Sequence, residues 1–178
     1  EYINLFGNKG FKMGTPTTKS RRPLSKNWFV KSDSKQRMAL SKHAYNFFRN
    51  PTGVTTVNAY SVFKDYENSL NARSFGEFIP INARASNDWA NVQKLCYMVE
   101  LNANPIITSF INDHLPNGIR FDEGQWKLSV MLQVLWRTCI RKVGNEGKKN
   151  EQGEWDKVDI FIMSKNMRVL LEEWLSNN

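Results

Sequence analysis

The stretch KVDIFIMSKNMRVLLEEWLSNN, residues 157–178, decides the fold. Residues 157–164 form an apolar run that is typical of a buried strand. Residues 165–178 repeat apolar side chains at helical spacing, and Ser164 stands where a serine caps a helix. A strand followed directly by an amphipathic helix is the repeating unit of an α/β fold.

The same alternation extends toward the N-terminus. Periodicity and helix start and stop signals predict three further helices, over 32–50, within 104–115 and over 121–142. Short β-branched and apolar runs predict a strand within 52–70, followed there by a short helix, and a strand that runs into a polar loop over 77–85. The pattern of residues 92–101 fits a helix or a strand, and a strand over 94–99 is preferred. Ser32 or Ser34 would cap the first helix. The sequence therefore predicts an α/β layered domain with a mostly parallel central sheet flanked by helices.

Positive charge is concentrated near the N-terminus. Residues 1–50 contain 11 Lys and Arg against 2 Asp and Glu, whereas residues 51–178 contain 14 against 15. A one-sided basic segment indicates a polyanionic partner, most often nucleic acid. Arg21, Arg22 and Lys26 are its candidate contacts with DNA or RNA, and a solvated basic arm is the alternative.

Composition divides the chain at residue 34. Residues 1–34 are rich in Gly, Lys, Ser, Thr and Pro, which indicates a basic, loop-rich segment with short extended pieces. Residues 35–178 then form one domain, with a charged loop at 143–156.

The sequence lacks the patterns that are typical of several classes of protein. It has no apolar run long enough to span a membrane, no secretory signal, and no GxxxxGK followed by Ser or Thr. Cys96 and Cys139 stand in apolar contexts, which indicates buried reduced thiols and a cytoplasmic protein. Two His and no CxxC give no pattern for a zinc site, so no metal ligands are predicted.

The stretch LSVMLQVLWRTCIRK, residues 128–142, places polar side chains on an apolar helix. At about 100° per residue, the predicted core stripe contains Leu128, Leu132, Leu135 and Cys139. A second stripe lies nearly opposite and contains Gln133, Arg137 and Arg141.

This polar stripe suggests an anionic ligand. Two arginines four residues apart repel each other weakly, and an anion outside the helix would relieve this repulsion. The guanidinium fork suits phosphate because it binds two oxygens at once. The alternative is that both arginines pair with acids elsewhere in the fold, for instance Asp113, Asp122 or Asp159.

Three segments together resemble phage and mobile-element helicases of superfamily 2. They are FIPINARASNDWANVQKLCYMVELNANPIITSFI at 78–111, KLSVMLQVLWRTCIR at 127–141 and VDIFIMSKNMRVLLEEWL at 158–175. The similarity covers roughly residues 75–178 and is to the end of the second RecA-like domain of those helicases. It implies a RecA-like domain and a phage protein working in the host cytoplasm.

The resemblance assigns roles to the polar stripe. It implies that Gln133, Arg137 and Arg141 form motif VI, which faces ATP across the cleft between two RecA-like lobes. Trp136 replaces the usual glycine and the second arginine comes one residue late, so the resemblance leaves open which arginine is the finger. Arg141 is favoured, with Arg137 close behind. ATP and Mg²⁺ would be shared with an N-terminal lobe that supplies the phosphate loop.

The resemblance also identifies NARASND, residues 82–88, as motif V, which contacts the nucleic-acid backbone. Its donors are Asn82, Arg84, Ser86 and Asn87, and the alternative is a polar turn that caps the next element.

Aromatic side chains divide into two groups. Core spacing favours burial of Phe47, Phe48, Tyr60, Phe63 and Tyr66. Trp28 and Phe29, within the basic segment, are the better candidates for base stacking, although core packing is favoured for them too.

The predicted function is thus the C-terminal half of an ATP-dependent nucleic-acid helicase or translocase, which would hydrolyse ATP only together with its partner lobe. A non-catalytic nucleic-acid-binding module is the main alternative. A nuclease or recombinase is a further one, for which FDEG, KDYE and EWDKVD supply acids without a recognisable spacing.

Overall fold

The computed structural model describes seven stretches of the chain: residues 3–6, 22–49, 56–70, 76–83, 87–116, 118–144 and 157–177. Their strands are β1 (Ile3–Leu5), β2 (Val57–Ser61), β3 (Glu77–Phe78), β4 (Val92–Tyr97) and β5 (Val158–Ile162). Their α-helices are α1 (Lys26–Lys31), α2 (Ser34–Arg49), α3 (Pro105–His114), α4 (Glu123–Leu135) and α5 (Lys165–Ser176). Two 3₁₀ helices cover Lys64–Leu70 and Cys139–Gly144.

The five described strands form one sheet in the order β1-β5-β4-β2-β3, and every neighbouring pair is parallel. Helices cover both faces of the sheet, because alternate strand residues enter two separate cores. The predicted α/β class and the parallel central sheet flanked by helices are confirmed.

The two cores place the helices. Ala59, Leu95 and Ile160 point to the face covered by α4 and α5, whereas Tyr60, Cys96 and Phe161 point to the face covered by α1 and α2. Burial of both strand faces explains the continuous apolar runs at 95–99 and 160–163, which include the later parts of β4 and β5.

Residues 1–34 contribute to this domain where the structure describes them. β1 pairs in parallel with β5, with Ile3 opposite Val158. Residues 26–31 form α1, which the loop-rich interpretation did not predict. Division of the chain at residue 34 stays a prediction, but its described N-terminal part packs as an edge strand and a helix.

The aromatic side chains in α1 belong to the core. Trp28 and Phe29 are almost fully buried, so neither is available to stack on a base. Phe47, Phe48 and Tyr60 are also buried, as predicted. Phe63 and Tyr66 are half-buried against the same core.

The cap of α2 differs from both predicted serines. Asp33 Oδ1 accepts a hydrogen bond from the Gln36 N–H at 2.8 Å, and Gln36 Oε1 accepts one from the Asp33 N–H at 3.0 Å. This reciprocal pair is a capping box, with Asp33 in the place where Ser or Thr is more usual. Ser32 instead donates from its hydroxyl to the Phe29 carbonyl at the end of α1.

Candidate functional site

The predicted helix over 121–142 ends early. α4 begins at Glu123, capped by Asp122, and ends at Leu135. The buried Thr138 hydroxyl donates to the Leu135 carbonyl at 2.6 Å, and the Thr138 N–H donates to the same oxygen at 3.1 Å. These bonds reach back three residues instead of four, so the chain leaves α-helical geometry and continues as a 3₁₀ helix. A single helix through residue 142 was therefore wrong.

The residues of the polar stripe stay close together although the helix ends before Arg137. An open pocket of about 630 Å³ is lined by Ser129, Leu132, Gln133, Trp136, Arg137, Arg141 and Trp174. All three residues of the predicted stripe are among them. A volume of that size is typical of small-molecule sites, which measure roughly 300–1,000 Å³.

The pocket lies at the amino end of the sheet. α4 begins at the carboxyl end, where Glu123 Oε1 accepts from the Ala103 N–H beyond β4 at 3.1 Å. α5 also begins there, directly after β5. Both helices run back antiparallel to the strands, so their last turns, with Trp136 and Trp174, lie at the opposite edge. Open α/β sheets usually bind ligands at the carboxyl edge, so this pocket is not the usual crevice.

Two tryptophans give the pocket an apolar wall. Trp136 is 49% exposed, and its ring meets that of Trp174 edge to face with the centroids 6.0 Å apart. In the sequence, Trp136 stands out only as a departure from a helicase motif, and Trp174 carries no prediction of its own. Their pairing depends on how α4 packs against α5, which spacing along one helix does not reveal.

Arg137 connects the pocket to the predicted motif V loop. It is half-buried, and its Nη2 donates to the Ala83 carbonyl. Asn82, next to Ala83, and Asn87 are exposed. Arg84 and Ser86 lie outside the described residues. The two segments that the helicase resemblance identified thus touch each other in space.

Two of the three acids predicted as alternative partners of the arginines accept hydrogen bonds from other residues. Asp122 Oδ1 accepts from the Gln125 N–H at 2.9 Å, at the far end of α4 from the pocket. Asp159 Oδ1 accepts from Asn4 Nδ2 at 2.8 Å. The thirteen residues of α4 span about 20 Å, so Asp122 is out of reach of Arg137.

The basic residues of the N-terminal segment lie away from the pocket. Arg22 Nη1 donates to Asn102 Oδ1 at 2.5 Å, beyond the carboxyl end of β4. Lys26 Nζ lies 3.2 Å from Asp65 Oδ2 in an exposed ion pair. Arg21 lies outside the described residues. The predicted nucleic-acid contacts are therefore divided between two edges of the sheet.

The carboxyl edge holds a polar cluster that sequence reasoning missed. Glu100, 1% exposed, accepts from the Ser164 hydroxyl through Oε2. Its Oε1 accepts from Asn166 Nδ2 at 3.3 Å and from Lys127 Nζ at 3.4 Å. Lys127 also pairs with Glu123 at 3.2 Å. We refer to Glu100, Ser164, Asn166, Lys127 and Glu123 as the Glu100 cluster. A glutamate within the apolar run YMVEL was the available signal.

Burial shifts several pKa values around this edge. The pKa of Tyr97 is raised by burial and then by the charge of Glu100, and burial alone raises the pKa of the Cys96 thiol. Burial would raise the pKa of Glu123, but the hydrogen bond from Ala103 and the ion pair with Lys127 outweigh it and lower that pKa. Cys96 and Cys139 are both buried and form no disulfide, as predicted.

Two kinds of feature are absent from the described residues. No described helix is long and apolar enough to cross a membrane. Within the same seven stretches, no three His, Cys, Asp or Glu side chains are grouped so that they could hold a metal ion.

Comparison with known proteins places the chain among phage-related sequences. Residues 1–175 match the family described as YonV C-terminal Rossmann-like domain. The chain is 30% identical over 156 residues to the SPbeta prophage-derived uncharacterized protein YonV of Bacillus subtilis (strain 168). That match covers 86% of this chain and 34% of the relative, so the chain spans about a third of the relative's length. No solved structure matches the chain.

Proposed function

We propose a function for this chain, which belongs to the YonV C-terminal Rossmann-like domain family. The chain is the C-terminal, RecA-like lobe of an ATP-dependent helicase or translocase that acts on DNA or RNA. In this proposal Arg141 and Arg137 reach the phosphates of an ATP molecule bound by a partner lobe, and Gln133 orients beside them. The chain works in DNA replication of a phage or mobile element, in the host cytoplasm.

The single observation that carries this proposal is the convergence of Gln133, Arg137 and Arg141 on one open pocket. The helix that would have aligned them ends before Arg137, yet all three still line the same space. Two arginine forks beside a hydrogen-bonding amide can hold a phosphoryl group and stabilise the charge that develops as it is transferred. The bond from Arg137 to the Ala83 carbonyl adds support, because it ties this pocket to a loop proposed to follow nucleic acid.

The pocket suits the triphosphate of ATP better than its metal ion. Its described lining offers guanidinium, amide, hydroxyl and indole groups but no carboxylate, which Mg²⁺ prefers. The Mg²⁺ ligands, the phosphate loop and the catalytic base would come from the partner lobe. Because this chain lacks a Walker A sequence, we expect it to hydrolyse no ATP by itself.

The relative supports the setting rather than the chemistry. Its name says that it is prophage-derived, and this chain would share that origin. Since the relative is about three times as long as the match, a protein of that length has room for a second lobe.

An ATPase assay of the full-length native protein with single-stranded DNA tests the proposal. We expect Arg141→Ala to lower turnover at least about 100-fold while ATP binding persists, because the arginine acts on charge that forms in the transition state. Arg141→Lys should recover little, because lysine lacks the fork. Arg120→Ala removes an exposed arginine outside the pocket and serves as the matched control. Full turnover in Arg141→Ala and Arg137→Ala would reject the arginine-finger role.

A second candidate is the non-catalytic nucleic-acid-binding module, which the exposed Trp136 beside Arg137 favours. An indole can stack on a base while a neighbouring arginine holds the phosphate. This candidate predicts no ATP hydrolysis by the full-length protein. It also predicts that Trp136→Ala and Arg137→Ala weaken oligonucleotide binding to a similar extent.

A further inference from the structure

One side of α2 is exposed, and along it cationic side chains alternate with a methionine and a tyrosine. Spacings of three and four residues bring Lys35, Met38, Lys42, Tyr45 and Arg49 onto one side of the helix. All five are exposed, with Met38 at 70% and Tyr45 at 47%. The opposite side of α2 is buried in the core. We call these five residues the α2 stripe.

The α2 stripe is positively charged and has no acidic neighbour on its own helix. α2 contains no Asp or Glu among its sixteen residues. In the described part of the chain, none of Lys35, Lys42 and Arg49 forms an ion pair. Residues 22–49 as a whole hold seven Lys and Arg against one acid, Asp33, which is engaged in the capping box. Such a surface attracts a polyanion.

The spacing of the α2 stripe fits an extended polyanion. Its three cations are seven residues apart, so they repeat every 10 Å or so along about 21 Å of helix. Met38 and Tyr45 lie between them and offer a flexible thioether and a flat ring. Cations interleaved with aromatic or apolar groups are the pattern of single-strand binding, where phosphates meet the charges and unpaired bases stack on rings.

A membrane surface fits the α2 stripe less well. Helices that bind membranes insert a broad apolar face between lipid headgroups. The apolar face of α2, with Leu40, Ala44, Phe47 and Phe48, is already buried against the sheet. One methionine and one tyrosine remain outside, which is too narrow a surface for insertion.

We propose that the α2 stripe is a binding surface for single-stranded nucleic acid. Lys35, Lys42 and Arg49 bind successive parts of the phosphate backbone, and Tyr45 stacks on a base. The stripe lies on the sheet face opposite α4, α5 and the arginine pocket. It shares the nucleic-acid ligand of the proposed helicase, but its site is separate, and it binds without ATP.

The test measures binding of a fluorescein-labelled oligothymidylate of about 20 nucleotides, longer than the roughly 4–16 nucleotides covered by one binding module. Fluorescence anisotropy is recorded with the full chain, without nucleotide, from about 50 to about 200 mM salt. The variant combines Lys35→Gln, Lys42→Gln and Arg49→Gln. The matched control combines Arg120→Gln, Lys157→Gln and Lys165→Gln, which removes the same charge from exposed positions elsewhere.

We expect the stripe variant to lose at least about tenfold in affinity at the lower salt concentration, while the control loses far less. Each phosphate contact contributes about 0.7 to the slope of log K against log salt for a single strand, so the slope should fall by about 2. Tyr45→Ala should weaken binding by about fivefold or more, and Tyr45→Phe should retain it, because the ring does the stacking.

Three results would overturn the proposal. The stripe and control variants could lose affinity equally, which would make the effect one of net charge. Double-stranded DNA could bind as tightly as single-stranded DNA, and Tyr45→Ala could leave the affinity unchanged. The wild type could bind anionic lipid vesicles or polyglutamate but not the oligonucleotide. Arg141→Ala, measured beside them, should bind the oligonucleotide normally even if it abolishes ATP hydrolysis, so failure of one proposal is distinguished from failure of the other.

Discussion

α4 and α5 connect two polar sites of opposite character. Both helices begin in the Glu100 cluster at the carboxyl edge of the sheet and end at the arginine pocket at the amino edge. In the Glu100 cluster, donors surround the buried Glu100 carboxylate, whereas Glu123 and Asn166 at its rim are open to solvent. In the arginine pocket, guanidinium, amide and indole groups surround open space. The first site therefore holds the helices in place, whereas the second leaves polar groups facing open space, as the proposed function requires.

This arrangement reverses the usual division of an open α/β sheet, in which the carboxyl edge binds ligands. Here Glu100 and Lys127 fill part of that edge, and the chain at residues 22–25 lies across it, with the Leu24 carbonyl accepting from the Glu100 N–H at 2.9 Å. Leu24 adopts a φ of +65°, a left-handed conformation that is costly for a residue with a branched side chain. We read this as part of the closure of the carboxyl edge.

The largest effect should come from removing Glu100. Glu100→Ala leaves the buried Ser164 hydroxyl without its acceptor and weakens the hold on Lys127 and Asn166. Breaking a buried charge pair costs about 3–5 kcal/mol, so the free energy of unfolding should fall by that amount in urea denaturation. Glu172→Ala is the control, because the Glu172 side chain is 47% exposed and its ion pair with Arg168 at 2.8 Å should contribute about 1 kcal/mol or less. Equal losses in the two variants would break the comparison.

The two pocket tryptophans should differ in stability. Trp174 is half-buried and packs against the core, whereas Trp136 is about half exposed. Trp174→Ala should lower the free energy of unfolding by roughly 2 kcal/mol, less than the 3–5 kcal/mol of a fully buried aromatic. Trp136→Ala should cost about 0.5 kcal/mol or less. If Trp136→Ala proved the more damaging, the pocket wall would be structural rather than a surface for a ligand.

Substitutions of the two pocket arginines should also differ in their effect on the free energy of unfolding, by a smaller amount than those of the tryptophans. Arg137→Ala removes the hydrogen bond to the Ala83 carbonyl, and because Arg137 is only half-buried we expect the lower end of the range for charged groups, about 1.5 kcal/mol. Arg141 is exposed, and Arg141→Ala should change the free energy of unfolding by about 0.5 kcal/mol or less. Thermal unfolding of both variants measures this difference. A large loss in Arg141→Ala would mean that its effect on turnover is not evidence for a finger.

Prediction from sequence succeeded where a single element carries the signal. The strand and helix of residues 157–178 follow from apolar runs and the Ser164 cap, and the structure confirms them as β5 and α5. It also confirms the cap, because the Ser164 hydroxyl accepts a hydrogen bond from the Met167 N–H. It failed where a local contact changes the element. Periodicity could not show that the Thr138 hydroxyl would end α4, or that Asp33 and Gln36 would cap α2 together.

The candidate site was predictable in part for the same reason. Gln133, Arg137 and Arg141 follow from spacing within one segment, and they do line one pocket. Trp174 comes from another helix, and the Glu100 cluster draws on β4, α4 and α5, so neither follows from any one segment. The α2 stripe is a middle case, because its spacing is visible in the sequence, but only burial shows which side of α2 faces outward.

The smallest effect concerns the rim of the Glu100 cluster and is a matter of pH. The pKa of Glu123 is lowered below its ordinary value of 4.5 in the folded protein, so the unfolded chain takes up the proton more readily as the solution is acidified. The stabilising contribution of Glu123 is therefore complete above pH 4.5 and is lost as the pH falls through the lower folded value. Glu123→Gln should lower the unfolding midpoint slightly at pH 7, where the contribution of Glu123 is complete, and should flatten the dependence of the midpoint on pH within that acidic window. The same flattening in Glu172→Gln, on the exposed outer side of α5, would show that the rim carboxylate is no more engaged than a surface one.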